Sequence, residues 1–467
     1  MSLEKALTDL RRALGPHNVI TDPADLLCYS YDATADVPTQ RPDVVVTPES
    51  TAHVVQVVKI ARQYRLPIYP RGSGTNLSGG TIPLRGGIVL ATVKMNRILE
   101  IDPANLTATV QPGVIIQDLN NAVAPYGLLY PPDPGTVATA TMGGSVAECS
   151  GGLRGLKYGV TRHYVMGLEV VLASGEVIRC GGKTVKNVTG YDLVRLFTGS
   201  EGTLGIITEI TVRLIPAPQA RETMLAGFAR LADAGNTVTE IIQRKVIPAT
   251  LEIMDRVTVE VVENYAHIGL PTDVAALLLI EVDGIPEVVK YEAETVREII
   301  KKNNGWVKTA ENEAARENLL AARRAALPAL AQRKPTTILE DATVPRSKIT
   351  EMLLALEEIG KKYDLLIGTF GHAGDGNLHP TILADARDED EMRRVRAAVE
   401  EIFRVALSLG GTLSGEHGIG MAKMRFLPWE MGASGVNVLR QIKKALDPEN
   451  ILNPGKMVDL AQEEEQK

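Results

Sequence analysis

The stretch Tyr69-Pro70-Arg71-Gly72-Ser73-Gly74-Thr75-Asn76-Leu77-Ser78-Gly79-Gly80 limits what this chain can fold into more than any other. It holds four glycines, two serines, a threonine and one arginine, with little bulk. Glycine lets a backbone turn sharply and approach a ligand closely. Successive backbone N–H groups in such a turn form an anion-binding concavity, and hydroxyls and a guanidinium add donors. A pyrophosphate answers that description. A Walker loop does not fit, because it ends in Gly-Lys-Ser/Thr and this stretch has no lysine. The G-x-G-x-x-G dinucleotide fingerprint also fails: its third glycine would fall on Leu77, and a helix should follow. Here Gly79, Gly80, Pro83 and Gly86 lead instead into a strand, Gly87-Ile88-Val89-Leu90. A flexible surface loop is the competing reading of any glycine-rich run.

Two further segments have the same texture. Pro131-Pro132-Asp133-Pro134-Gly135-Thr136 runs on to Thr141-Met142-Gly143-Gly144-Ser145-Val146-Ala147-Glu148 and then to Gly151-Gly152-Leu153-Arg154-Gly155. Prolines fix an extended approach, and small residues then permit close contact with a flat or phosphate-bearing ligand. The third is Thr198-Gly199-Ser200-Glu201-Gly202-Thr203-Leu204-Gly205-Ile206-Ile207. One such loop is a weak signal. Three of them, each at a strand end, point to a long ligand lying across several loops.

A chain of 467 residues suggests two or three domains. Its net charge of −7 argues against nucleic acid and supplies no basic patch for a membrane surface. No apolar run is long enough for a transmembrane helix, and the start lacks the apolar core of a signal peptide, so a cytoplasmic chain is expected. Three scattered cysteines, Cys28, Cys149 and Cys180, form no metal spacing and cannot hold a four-cysteine iron–sulfur cluster. The acidic run Glu463-Glu464-Glu465 reads as a frayed end.

Periodicity places amphipathic helices at residues 3–14, 49–64 and 115–124, and short strands at 44–46, 98–101 and 107–110. Residues 167–180 alternate and turn at Ser174-Gly175, a β-hairpin. Beyond residue 220 the glycines thin out. Strands at 275–282, 336–342 and 365–369 alternate with helices at 286–302, 311–332, 347–363 and 389–409, a second α+β domain.

Chemistry returns at Gly371-His372-Ala373-Gly374-Asp375-Gly376-Asn377-Leu378-His379-Pro380, which holds two of the seven histidines. Asp-Gly is a strong two-residue hairpin signal. A turn centred on Asp375-Gly376 sets His372 opposite His379, with Cβ atoms about 5 Å apart on one face. Such a pair is a preformed bidentate site for a divalent metal. A third histidine stands in Leu413-Ser414-Gly415-Glu416-His417-Gly418-Ile419-Gly420. One of Glu416 and His417 can complete a two-histidine, one-carboxylate set, and a neutral histidine beside it can take a proton.

The three glycine-rich segments, with HAGDGNLH and SGEHGIG, resemble the FAD-linked oxidases of the vanillyl-alcohol-oxidase type. Within these the chain looks like the D-2-hydroxyacid dehydrogenase group of the glycolate oxidase catalytic subunit and D-lactate dehydrogenase. The resemblance spans roughly residues 20–457. It implies an α+β fold: a two-subdomain FAD-binding domain at 1–220, an α+β cap with an antiparallel sheet and helices on one face at 221–420, and a segment returning to the FAD domain at 421–467. By match, the loop Pro70, Arg71, Gly72, Ser73, Gly74, Thr75 and Asn76 wraps the FAD pyrophosphate. Pro134, Gly135, Thr141, Gly144 and Ser145 lie along pyrophosphate and isoalloxazine. Glu201, Gly202 and Ile207 fall on the adenosine and ribitol side, and Asn453 touches the flavin. Relatives with covalent FAD use a histidine in the first loop, where this chain has Thr75 and Asn76, so non-covalent FAD is expected. The resemblance further implies His372, His379 and Glu416 as ligands of a divalent metal (Zn, Fe or Mn), His417 as the base, Asn377 near the substrate and Arg323 on its carboxylate. Relatives acting on a larger diacid carry a lysine near position 339, here Leu339, which disfavours a diacid.

Together these parts predict oxidation of a small D-2-hydroxy acid, D-lactate or glycolate, to the 2-oxo acid. The hydride passes to flavin N5, and the metal lowers the pKa of the hydroxyl. The partner expected for the electrons is an electron-transfer flavoprotein or an iron–sulfur subunit, through which the chain could associate with a membrane. The alternatives are a self-sufficient oxidase using oxygen, and a metal-dependent hydrolase without flavin whose glycine loops bind a substrate phosphate.

Overall fold

The computed structural model describes residues 2–460, so the acidic run Glu463–Glu465 lies outside the described residues. Contacts gather the chain into two compact units. The first takes its residues from Met1–Ser150, Val160–Ala217 and Glu416–Lys467, and the second from Gly151–Gly159 and Pro218–Gly415.

Two larger sheets build the first unit, beside a small two-stranded one that pairs Leu128–Leu129 with Ile215–Pro216. In one, the strand Ile88–Ala91 lies between Val44–Val46 and Ile68–Arg71 and runs parallel to both. Val44, Val45 and Val46 are all buried, as a parallel strand covered on both faces requires. The helix Thr51–Tyr64 joins two of these strands. Ser50 Oγ caps it by accepting from His53 N, and its buried face is Val54, Val57, Val58 and Ala61, the period of an amphipathic helix. The helix stops at Arg65, which adopts a left-handed conformation. The other sheet is antiparallel, in the order Ile98–Asp102, Thr107–Val110, Ile206–Arg213, Val165–Val171, Val177–Gly181. The expected hairpin at Ser174-Gly175 is its last pair, with Val171 opposite Val177. One core unites both sheets, since Val44, Ile68 and Ile88 share a cluster with Val171 and Ile206. Within the second glycine-rich segment, Met142–Glu148 forms a short helix that residue pattern alone did not assign. Thr141 Oγ1 caps it, accepting from Gly144 N at 3.2 Å.

The second unit is an antiparallel sheet ordered Trp306–Thr309, Ala220–Phe228, Ala276–Gly284, Thr250–Asp255, Leu366–His372, Asn377–Ala384, Thr336–Leu339, with Ala342–Thr343 also on the last hairpin. Helices cover both faces of this sheet rather than one. Leu225, Leu277 and Phe370 pack against the helices Arg256–Ala266 and Ala326–Leu330. Residues of the other parity, Met224, Leu278 and Ile280, are equally buried, and Pro286–Lys302 packs on the same strands. An eight-residue buried run in the strand Ala276–Gly284 follows from double coverage. The long helix expected at 311–332 breaks at Ala325 into Glu313–Arg324 and Ala326–Leu330. Gly151–Gly159 belongs to this unit: Lys157 Nζ lies 2.6 Å from Asp283 Oδ1, and Leu153 packs with Leu279 and Leu320. Among the described residues no helix is long and apolar enough to cross a membrane.

Candidate active site

In the first unit the three glycine loops converge. A Cβ on Gly72 would lie 2.3 Å from Thr141 Oγ1, so the first loop rests directly on the second. A Cβ on Gly202 would lie 3.1 Å from Pro70, so the third loop rests on the first. Asn453 fastens the assembly, donating from Nδ2 to Gly80 O at 2.9 Å and Glu201 O at 2.7 Å. Lys456, nearly fully buried, donates to Gly79 O. The cleft between the loops opens to solvent, and about 550 Å³ in and above it holds no protein atom. Of the residues expected to hold FAD, Pro70, Arg71, Gly72, Gly144, Glu201, Gly202 and Ile207 line it.

The others do not line the cleft: some brace the loops and some are exposed, and Arg71 lines it with its guanidinium engaged inside the unit. Arg71 turns its guanidinium inward, donating to Tyr31 O at 2.7 Å and Thr81 Oγ1 at 3.2 Å. Gly74 closes over that guanidinium, where a Cβ would meet Arg71 Nη2 at 2.2 Å. Asn76 Oδ1 accepts from Ser78 N at 2.9 Å and Gly80 N at 2.6 Å and so holds the first loop in shape. Ser73 is exposed at the loop tip and Thr75 is half-buried. The Ser145 hydroxyl is engaged inside the unit by Thr161 Oγ1 at 3.0 Å, Pro134 is buried, and Gly135 is exposed in the turn that follows. Cys149 is buried and its Sγ takes the Nε–H of Arg162 at 3.0 Å.

Residue pattern missed Glu148, which also lines the cleft. Its signal is an acid at the end of a run otherwise small or apolar. Burial, then the nearby Glu201 and Asp32 carboxylates, hold the Glu148 carboxyl well above the usual carboxylate range. Burial also raises Glu201, against the backbone N–H groups of Ile419 and Gly420, each 2.7 Å from its oxygens. Burial pushes the Lys456 ammonium down to about 8, opposed by Asp32, Glu201 and Glu148.

In the second unit the histidine hairpin forms with a different register. His372 stands opposite Asn377, and Phe370 opposite His379. The connection is therefore the four-residue loop Ala373–Gly376, not a two-residue Asp-Gly turn. Gly376 N and Asp375 N both donate to His372 O, at 3.1 and 3.2 Å, which closes the longer loop. His372 and His379 become diagonal neighbours on one face, and their rings still meet, with centroids 5.1 Å apart at 89°. Both are buried.

Carboxylates back both rings. Glu252, fully buried on the adjacent strand, accepts from His372 Nδ1 at 2.7 Å. Asp341 Oδ1 lies 3.9 Å from His379 Nδ1, and Asp341 Oδ2 accepts from Ser414 Oγ at 2.6 Å. Arg323 is 4% exposed and sits with its guanidinium over the Phe370 ring, Nη2 2.6 Å from Glu252 Oε2. That ion pair misses hydrogen-bond geometry, and neither Nε nor Nη2 has a hydrogen-bond partner among the described residues. Burial pushes Glu252 up, but its interactions with His372 and Arg323 outweigh it, and the carboxyl titrates below its ordinary value. Asn377, opposite His372 on the hairpin itself, is buried, and Leu339 is half-buried among apolar neighbours.

Glu416 and His417 are the first residues of the returning segment, directly after the second unit ends at Gly415. The turn they open is pinned in the first unit: Ile419 N and Gly420 N donate to Glu201, and Met421 N donates to Ser78 O at 2.9 Å. Gly418 adopts φ +81°, and a Cβ there would meet Glu148 Oε2 at 2.4 Å.

Comparison with known proteins gives this geometry a family. Residues 42–181 match the FAD binding domain, and residues 217–457 the C-terminal domain of FAD linked oxidases. The glycolate oxidase subunit GlcD of Bacillus subtilis is 54% identical over 444 residues, covering 95% of this chain and 94% of that protein. A D-lactate dehydrogenase of Archaeoglobus fulgidus is 38% identical over 434 residues, covering 92% and 95%. In fold the chain is similar to p-cresol methylhydroxylase, with a TM-score of 0.81 at 21% identity over 98% of each chain. The chain therefore carries an FAD-binding domain, and the flavin-free hydrolase is set aside. This chain belongs to the FAD-linked oxidases, as an FAD-dependent oxidoreductase of the glycolate oxidase subunit and D-lactate dehydrogenase type.

Proposed function

We propose that this chain oxidises a small D-2-hydroxy acid, glycolate or D-lactate, to the 2-oxo acid with the help of a divalent metal. The observation that carries the reading is Arg323: a buried guanidinium with two nitrogens lacking hydrogen bonds, in the same unit as two facing imidazoles. Buried donors left unspent are costly, and a guest carboxylate would satisfy them. Leu339, half-buried in apolar surroundings, offers a second carboxylate nothing, which favours a monocarboxylate.

His372 and His379 supply two ligands on one face, and Glu416 the third. Support for Glu416 comes from its attachment: Ser414 is tied to Asp341, and a Cβ on Gly415 would lie 2.6 Å from Asn377 Nδ2. The donor set suits Zn, Fe or Mn. Such a metal supplies a Lewis acid that lowers the pKa of the substrate hydroxyl. Arg323 orients the carboxylate, Asn377 lies near the substrate, and His417 takes the hydroxyl proton at a ring nitrogen. Bound FAD supplies the acceptor for the α-hydrogen as hydride.

The electrons pass on to a separate redox protein, an electron-transfer flavoprotein or an iron–sulfur subunit. Three cysteines cannot ligate a four-cysteine cluster, and the Bacillus subtilis relative is named as one subunit of an oxidase. Reoxidation of substrate-reduced enzyme by air should be much slower than turnover with an added acceptor; equal rates would make the chain a self-sufficient oxidase. The direct test of the main reading is anaerobic bleaching of the flavin by a panel of 2-hydroxy acids of both hands. Glycolate or D-lactate should bleach it, with Arg323→Gln raising the half-saturating concentration. Bleaching by neither acid would end the proposal.

A further inference from the structure

Glu252 is a carboxylate at the centre of a buried sheet, 1% exposed, on the strand Thr250–Asp255. Its neighbours in that strand, Leu251, Ile253 and Met254, are buried and apolar. A buried charge persists when partners compensate it. Glu252 has two, and they come from different elements. Oε1 is 2.7 Å from Nδ1 of His372, on the hairpin strand. Oε2 is 2.6 Å from Nη2 of Arg323, in the last turn of the helix Glu313–Arg324.

The first contact fixes a tautomer. A carboxylate only accepts, so Nδ1 of His372 carries the hydrogen and the lone pair of the neutral ring sits on Nε2. A histidine held this way presents one defined nitrogen in one orientation, which is what a metal ligand requires. The second contact fixes an aim. Oε2 holds Nη2 by charge without taking a hydrogen bond from it, and Phe370 supports the guanidinium from its face, 4.7 Å from the ring centroid. The direction of the guanidinium is set while its donors remain for another acceptor.

We propose that Glu252 is a positioning residue that uses one carboxylate to set both the metal-facing nitrogen of His372 and the aim of the substrate-binding Arg323. The proposal rests on the metal and substrate reading above, and extends it to a residue that touches neither. It predicts that metal affinity and substrate affinity fall together when this one side chain changes.

The test uses the full-length, FAD-loaded chain. Glu252→Gln keeps the shape but turns a neutral amide toward Arg323. Its Zn2+ affinity, by titration of metal-stripped protein against a chelator, should fall about 10- to 100-fold. The half-saturating concentration of 2-hydroxy acid should rise about tenfold or more, while flavin content stays at the wild-type level. Two double-mutant cycles separate positioning from general support. In a His372→Ala background Glu252→Gln should weaken Zn2+ no further, and in an Arg323→Gln background it should leave the half-saturating concentration unmoved. Additive losses in both cycles would overturn the proposal. Should Glu252→Gln fail to fold, Glu252→Asp retains the charge and shortens the reach, and it should show the same paired losses. The ring nitrogen shifts of His372 in metal-free protein give a readout independent of the metal. Wild type should show an Nδ1–H ring and Glu252→Gln a mixture; a wild type without that preference would overturn the proposal even if the metal reading stood. Activity in metal-free wild type would refute the metal reading, while the tautomer result still judged Glu252.

Discussion

The two units build their sites from opposite materials. The first uses backbone. Gly72, Gly144 and Gly202 wall its cleft together with Pro70, Arg71 and Glu201, while Asn76 and Asn453 hold the loops in place outside the lining. The second uses side chains: two imidazoles, a guanidinium and two carboxylates, all buried. The acids divide the same way. Glu148 and Glu201 are raised because burial dominates, with like charge adding to it at Glu148, whereas Glu252 is lowered because its contacts with His372 and Arg323 outweigh its burial. A cradle of amides suits a large cofactor held by shape, and a cluster of matched charges suits a small polar substrate held by few contacts.

The comparison breaks most sharply at His379. His379→Ala should abolish substrate-dependent flavin bleaching, a loss of several kcal/mol of transition-state stabilisation, while the protein stays yellow. Full activity in that variant, or in chelated wild type, would remove the metal. His417 comes next, because it belongs to the first unit by contact yet is assigned chemistry. His417→Asn should slow flavin reduction roughly 10²- to 10⁴-fold with substrate binding little changed. A wild-type rate, or loss of FAD instead of rate, would return His417 to a purely structural place.

The converse experiment strikes the cradle. Gly72→Val forces a side chain into the 2.3 Å gap at Thr141. Overpacking of this kind costs about 1–3 kcal/mol, so FAD affinity should fall roughly ten- to hundredfold, read by flavin release on dilution. Zn2+ binding should be unchanged, and a parallel loss would mean the two sites are not independent. The smallest effect tests whether charge partners alone explain the acids. Asp255, in the second unit, caps the helix Arg256–Ala266, and burial lifts it to about 6 from 3.8. The folded chain thus keeps a proton that the unfolded chain releases. This group's contribution to stability is complete below about pH 4 and is lost as pH rises through 6. Asp255→Asn should flatten that part of the stability profile in denaturant titrations, and identical profiles would contradict the shift.

Much of this was legible in the residues, and the boundary has a physical cause. Helices such as Thr51–Tyr64 and Pro286–Lys302, the Ser174-Gly175 hairpin and the three glycine loops follow from periodicity, caps and backbone sterics, which act over a few residues. The pairing of His372 with His379 was also local, although its register was not. Asp-Gly marked the hairpin, but the closing bonds to His372 O decided that four residues, not two, would connect the strands. Tertiary structure alone decided the partners of buried charges. Glu252 and His372 are 120 residues apart, and no spacing rule links them. Glu148 and Gly418 meet across a greater separation still. Local sequence determined which backbone shapes and reactive side chains were present. Only the packing of distant strands decided which carboxylate would lie against which histidine, because desolvation and Coulomb attraction act on neighbours in space rather than in the chain.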